Sequence, residues 1–298
     1  MKRGAMLAAF VVVLGCAVAA ICYTQRHAKQ TPVSANAVLQ MAADAQRDLS
    51  RAPMHLTRIS DEEEISIGRE LAARYTPLHP SLNAEQAALD AYVKKVGAAV
   101  AGHAHRKLPY EFHVIPDRSL INAFSLPGGP VYVGQGMLDQ MLTEDELANV
   151  LGHEVEHIDH YHCVERVQVE AQLKHLDLGV IGELLQIPLA LWETGYNKDE
   201  ELEADREGMF LAVAAGYSPY GAVKLFEQFA KLEREYVIHA ETPEQELSEL
   251  ALQSLEGYFR THPLPSERLD QANRLIVEQK WEGKKEQRNF RIEYQVRE

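Results

Sequence analysis

The chain has 298 residues, 46% of them hydrophobic, and a formal net charge of −14. That length supplies a well-buried core and allows roughly two domains at about 150 residues each, while the acidic balance, with no clustered basic face, argues against a nucleic-acid partner. Of the three cysteines, Cys16 and Cys22 fall in the first apolar run, so Cys163 stands alone and the folded part is expected to hold no internal disulfide.

Met1-Lys2-Arg3 is a basic start, followed by an uncharged, mostly apolar run from Gly4 to about Tyr23 and then by Arg26, His27 and Lys29. About twenty such residues suit one membrane span. Ala17-Val18-Ala19 also offers a signal-cleavage pattern, and Val13-Leu14-Gly15 before Cys16 resembles a lipoprotein signal. Residues 1–23 thus admit a retained anchor, a cleaved signal or a lipid on Cys16. All three put the main domain outside the cytoplasm, although the basic residues after the run work against that orientation. Residues 24–52 are polar and Ala/Gln-rich and are expected to form a linker, with the folded domain spanning 53–298. No repeat of 20–50 residues is visible, so no solenoid is expected.

Ser60-Asp61-Glu62-Glu63 predicts a capping box opening a helix to about Tyr75. A second helix is predicted over residues 83–101, with Leu89, Tyr92, Val93, Val96 and Val100 on one face. Tyr110, Phe112 and Val114 alternate with polar neighbours, a strand pattern. Ala123–Leu126 and Val131–Val133 read as two more strands around the turn Pro127-Gly128-Gly129-Pro130. Thr143 to Glu146 predicts another capping box and a helix continuing through His162. Residues 178–192 are strongly apolar but interrupted by Glu183 and Pro188, which predicts a buried or lid helix rather than a second span. Further helices are predicted over 198–215, 219–236 and 265–280. The pattern is α+β: mainly helical, with one small sheet beside the helix of residues 143–162.

That helix contains His153-Glu154-Val155-Glu156-His157, an H-E-x-x-H sequence. Positions i and i+4 share one helix face, so both imidazoles can reach one zinc ion. Glu154 then projects towards the open metal position, where it can act as general base. A third histidine at the metzincin spacing is missing, because His160 and Cys163 occupy the glycine and histidine positions; both remain conceivable soft ligands. A carboxylate from a second helix is the alternative. Glu201 and Asp205 are four apart, so Glu201 can ligate while Asp205 accepts the N–H of a ligand imidazole; Glu200 and Glu203 then point elsewhere.

These stretches, taken in order, resemble the M48-type metallopeptidases over residues 60 to 275. The resemblance rests on Asn122–Gly129, on Gly152–His157 followed by His162, on Glu201–Arg206, on Gly216-Tyr217-Ser218-Pro219, and on Thr261-His262-Pro263 with Arg268 beyond. It implies a zincin-like domain with one zinc on His153, His157 and Glu201, and Asp205 orienting His153. It implies that the strand Val131-Tyr132-Val133 is an edge that binds substrate by strand addition. His262 would lie near the metal, binding the transition-state oxyanion or blocking the open position in a resting form. A departure is Glu156, where family members carry a small residue; it either faces solvent or alters that helix's contacts. The multi-span membrane bundle of some members is absent, so the chain resembles the single-anchor or lipoprotein members of bacterial envelopes. Those are associated with degrading unfolded or misassembled envelope proteins. The alternatives are a metal-binding, chaperone-like or latent homologue with little cleavage, and a metallohydrolase of small molecules; the intact Glu154 favours the peptidase.

Overall fold

Four helices begin where a side chain closes the first turn. Ser60 and Glu63 exchange side-chain-to-backbone bonds of 3.2 and 2.8 Å at the start of α1, Asp61–Tyr75. The same reciprocal box is made by Asn83 and Gln86 before α2, Ala84–Ala101, by Thr143 and Glu146 before α4, Glu144–Asp159, and by Asn197 and Glu200 before α6, Lys198–Ala214. Each box satisfies donors that the helix cannot bond internally. The remaining helices are α3, Gln135–Asp139, α5, His162–Leu173, α7, Tyr220–Tyr236, and α8, Pro265–Glu278. The computed structural model describes residues 59–75, 83–173, 192, 196–236 and 265–285. The expected anchor, the linker, His262 and the apolar run apart from the buried Trp192 lie outside the described residues. Among the described residues no helix is long and apolar enough to cross a membrane.

Three strands follow α2: β1, Glu111–Ile115, β2, Ala123–Ser125, and β3, Pro130–Gly134. Their order is β1-β3-β2, with β3 parallel to β1 and antiparallel to β2. The β2–β3 turn needs its glycines: Gly128 has φ +76° and Gly129 φ +138°, and the Gly128 N–H donates to the buried Glu64 carboxylate at 2.8 Å. This order corrects the expected edge. Val131, Tyr132 and Val133 lie in the central strand, bonded on both sides and fully buried. The outer side of β1 faces α2, where Asp90 Oδ1 accepts the Val114 N–H at 2.9 Å. Among the described residues β2 pairs with no further strand on its other side, where it is buried next to α4.

A second correction concerns the end of α4. The helix stops at Asp159, and Tyr161 adopts φ +66°, so the chain reverses and His162 opens α5. No glycine or proline marks that break. α4 packs on α6, α2, α7 and β2. Its closest approach is to α6: a Cβ on Gly152 would sit 2.5 Å from the Gly208 carbonyl oxygen, and one on Gly208 would sit 2.6 Å from the His153 nitrogen. Only a pair of glycines permits this crossing.

Candidate metal centre

His153 and His157 lie one turn apart on α4, and Glu201 stands in the first turn of α6 directly across the glycine crossing. All three are buried. The two Nε2 atoms are 3.0 Å apart; Glu201 Oε2 is 3.5 Å from His153 Nε2, and Glu201 Oε1 is 3.7 Å from His157 Nε2. Among the described residues this is the one group of three whose donor atoms converge closely enough to hold a metal ion. Ligand atoms about 2.0–2.1 Å from a tetrahedral zinc lie roughly 3.3 Å from one another, and the three separations bracket that spacing.

Each imidazole is fixed from behind. His153 Nδ1 donates to Asp205 Oδ1 at 2.8 Å, as the four-residue spacing from Glu201 predicts, and this leaves the Nε2 lone pair for a metal. Asp205 is in turn held by Arg268 of α8, whose Nε and Nη2 donate at 2.7 and 2.5 Å. Burial alone would raise Asp205, but Arg268 and His153 outweigh it and hold the carboxyl below its ordinary value. His157 Nδ1 lies 2.9 Å from His162 Nδ1, and His162 Nε2 lies 3.5 Å from Glu203. Tyr196, just before α6, donates its backbone N–H to Glu201 Oε1 at 2.6 Å.

The electrostatics favour a cation. Burial would lower His153, yet Asp205 and Glu201 lift it to about 10. The same carboxylates attract a divalent ion in place of that proton. Glu154 is buried, and that burial pushes it up to about 7 against the opposing influence of His153, Ser125 and Arg268. It borders a pocket whose other walls include Ala123 of β2, Val150, Met209, Leu225 and Phe226.

Other sequence candidates fall elsewhere. Cys163 is buried against Ser125 and Tyr196, and burial pushes its thiol up to about 12, so it is not a thiolate ligand. His160 pairs with Glu156 at 3.0 Å and lies 3.7 Å from Glu203. Glu156 is buried rather than facing solvent, which resolves its departure from the family pattern: His160 meets its carboxylate. Glu200 closes the cap of α6. Tyr196, Arg166 and the contact of His162 with His157 carry no sequence signal of their own, and Arg268 is visible in the sequence only as part of a motif.

Residues 83–276 match the profile of Peptidase family M48, well over half of the chain. The chain belongs to that family. The match runs from the cap of α2 into α8 and contains every residue of the site just described. A putative β-barrel assembly-enhancing protease of Vibrio cholerae is 27% identical over 61% of this chain and 38% of its own length. The mitochondrial metalloendopeptidase OMA1 of Arabidopsis thaliana is 32% identical over 47% of this chain and 30% of its own. The metalloprotease LoiP of Escherichia coli K12 is 26% identical over 67% of this chain and 79% of its own. The chain therefore spans about a third of the first two relatives' lengths and most of the third's. In this M48 chain, the donor set of two imidazoles and one carboxylate suits zinc and also accepts other divalent ions.

Proposed function

We propose that this chain is a zinc-dependent endopeptidase that hydrolyses peptide bonds in extended or misfolded proteins. The observation that carries the reading is the convergence of His153, His157 and Glu201 beside a buried Glu154. A zinc ion bound there supplies Lewis-acid activation of the attacking water and of the scissile carbonyl. Glu154 takes the water's proton and passes it to the departing amide nitrogen. Burial raises the Glu154 carboxyl above its ordinary value in the metal-free site, the direction that helps it hold the proton between the two transfers. Asp205 holds the His153 tautomer, and Arg268 keeps Asp205 ionised in a buried place. His262, outside the described residues, is assigned to the oxyanion by its motif position; higher activity in a His262→Ala chain would reverse that assignment to a blocking role.

Among the described residues the side of β2 away from β3 carries no strand, which supports an extended peptide as substrate. Leu126 and Asn122 bond to β3 through Pro130 and Gly134, so by alternation Ala123 and Ser125 turn their backbone groups away from β3, where the Ser125 carbonyl meets Cys163 Sγ at 3.8 Å. An extended chain added there lies along α4, with the pocket beside Glu154 ready for one of its apolar side chains. Segments exposed by misfolding are extended and apolar, which gives the substrate class. The name of the Vibrio cholerae relative, with the apolar N-terminal run, supports work in a bacterial cell envelope with the domain facing the periplasm.

Zinc-loaded full-length chain is expected to cleave an unfolded model protein, and a Glu154→Gln chain to lose at least about 10²-fold in rate while still holding zinc. Cleavage that survives this substitution and a chelator would remove the proposal. A parent that holds zinc but cleaves nothing would favour the latent or chaperone-like reading.

A further inference from the structure

The two histidines of the site are supported in different ways. His153 is locked by the charged pair Asp205–Arg268, whereas the His157 Nδ1 meets another imidazole. The plane of the His157 ring is set by a second kind of contact, with Tyr196. Its ring stacks on the His157 imidazole, with 4.1 Å between centroids and 22° between planes. The Arg166 guanidinium lies 3.6 Å from the centre of the same ring. Two groups that close to one ring cannot share a face, so the phenol is sandwiched between His157 and Arg166. Its hydroxyl donates to Cys163 Sγ at 3.2 Å, which sets the ring's rotation. At its other end the Tyr196 N–H holds Glu201 Oε1.

We propose that Tyr196, clamped by Arg166, is a positioning residue for the metal centre: its ring sets the plane of His157 while its backbone sets the carboxylate rotamer of Glu201. The proposal rests on the reading of His153, His157 and Glu201 as metal ligands. Tyr196 touches no substrate in this account and acts through the two ligands. Contacts of this kind behind a ligand are worth about 10–100-fold in metal affinity.

The test uses the full-length chain with zinc or cobalt alone. Zinc affinity is measured by competition with a chromophoric chelator, and the coordination geometry is read from the visible absorption of the cobalt form. Tyr196→Leu keeps the N–H but loses the flat ring, so zinc is expected to bind about 10–100-fold more weakly, with altered cobalt bands. Tyr196→Phe keeps both the ring and the N–H and is expected to restore affinity and spectrum close to the parent. Arg166→Gln, which leaves Tyr196 itself intact and guards against a misfolded leucine variant, is expected to weaken zinc by a smaller factor. The proposal is overturned if Tyr196→Leu or Arg166→Gln matches the parent in affinity and spectrum, or if Tyr196→Phe is as weak as Tyr196→Leu. A parent that takes up neither ion overturns the metal reading itself, and this inference falls with it.

Discussion

α2 and α4 are both capped by the same kind of box and both lie against the same small sheet, yet they bury opposite kinds of surface. α2 buries a stripe dominated by Leu89, Val93, Val96 and Val100 and turns Lys94 and Lys95 to solvent. α4 buries every residue from Asp145 to Asp159, and eight of them are acidic, amide or imidazole side chains. Removing carbon from water stabilises α2 wherever the apolar neighbours come from. A buried polar group costs stability unless a partner meets it, so α4 depends on named contacts from elsewhere. Ser218 donates to Asp145, Arg268 holds the Asp205 behind His153, His160 meets Glu156, and the N–H groups of His105 and Arg106 cap Asp159. One helix is a stability element. The other is a functional element kept folded by its surroundings.

The largest expected break in this contrast is Arg268→Met. It takes the guanidinium from the buried Asp205 carboxylate and leaves that carboxylate on His153, and removing one member of a buried pair costs about 3–5 kcal/mol. Urea unfolding in chelator measures it; a loss close to zero would show that α4 needs less support than its burial implies. Next is Glu154→Gln, with the opposite sign. Burial raises Glu154 from an ordinary 4.5 to about 7, so the folded chain binds that proton more tightly than the unfolded chain. Parent stability therefore falls as pH rises from the ordinary value through about 7 and levels off above it. The glutamine variant escapes this cost. In chelator it is expected to be the more stable protein at pH about 8, by on the order of a few kcal/mol, with the gap closing towards pH about 5. A gap that does not change with pH would remove the electrostatic explanation. Smallest is Val96→Ala on α2, expected to lose about 2 kcal/mol at either pH, because only carbon burial and a small cavity are involved.

The same contrast decides what could be read in advance. The stripe of α2 follows a 3.6-residue period, and the alternation around Phe112 and Val114 follows a period of two, so both elements were legible along with two of the four caps. The converging ligands were legible because H-E-x-x-H and the Glu201–Asp205 pair are helix-face spacings, which are local geometry. Strand order was not. Placing β3 between β1 and β2 is a choice among long-range pairings, and a buried run such as Val131–Val133 looks the same at an edge as in the centre. The reversal at Tyr161 carries no glycine, so nothing local announced that His162 would fold back onto His157. Tyr196 and Arg268 act through residues far away in the chain, and an isolated tyrosine or arginine has no periodicity to reveal that.

The Gly152–Gly208 crossing sets a tolerance on the ion itself. A contact of 2.5 Å to a newly added carbon forces the two backbones apart by roughly an ångström to regain normal van der Waals distance. Zinc–nitrogen bonds are about 2.0–2.1 Å and calcium–oxygen bonds about 2.3–2.6 Å, so the whole difference between a small and a large divalent ion is less than that displacement. Two residues with no side chain thereby work as a gauge block: the gap they keep, more than any charge in the site, states the size of the cation that three donors from two helices can reach at once.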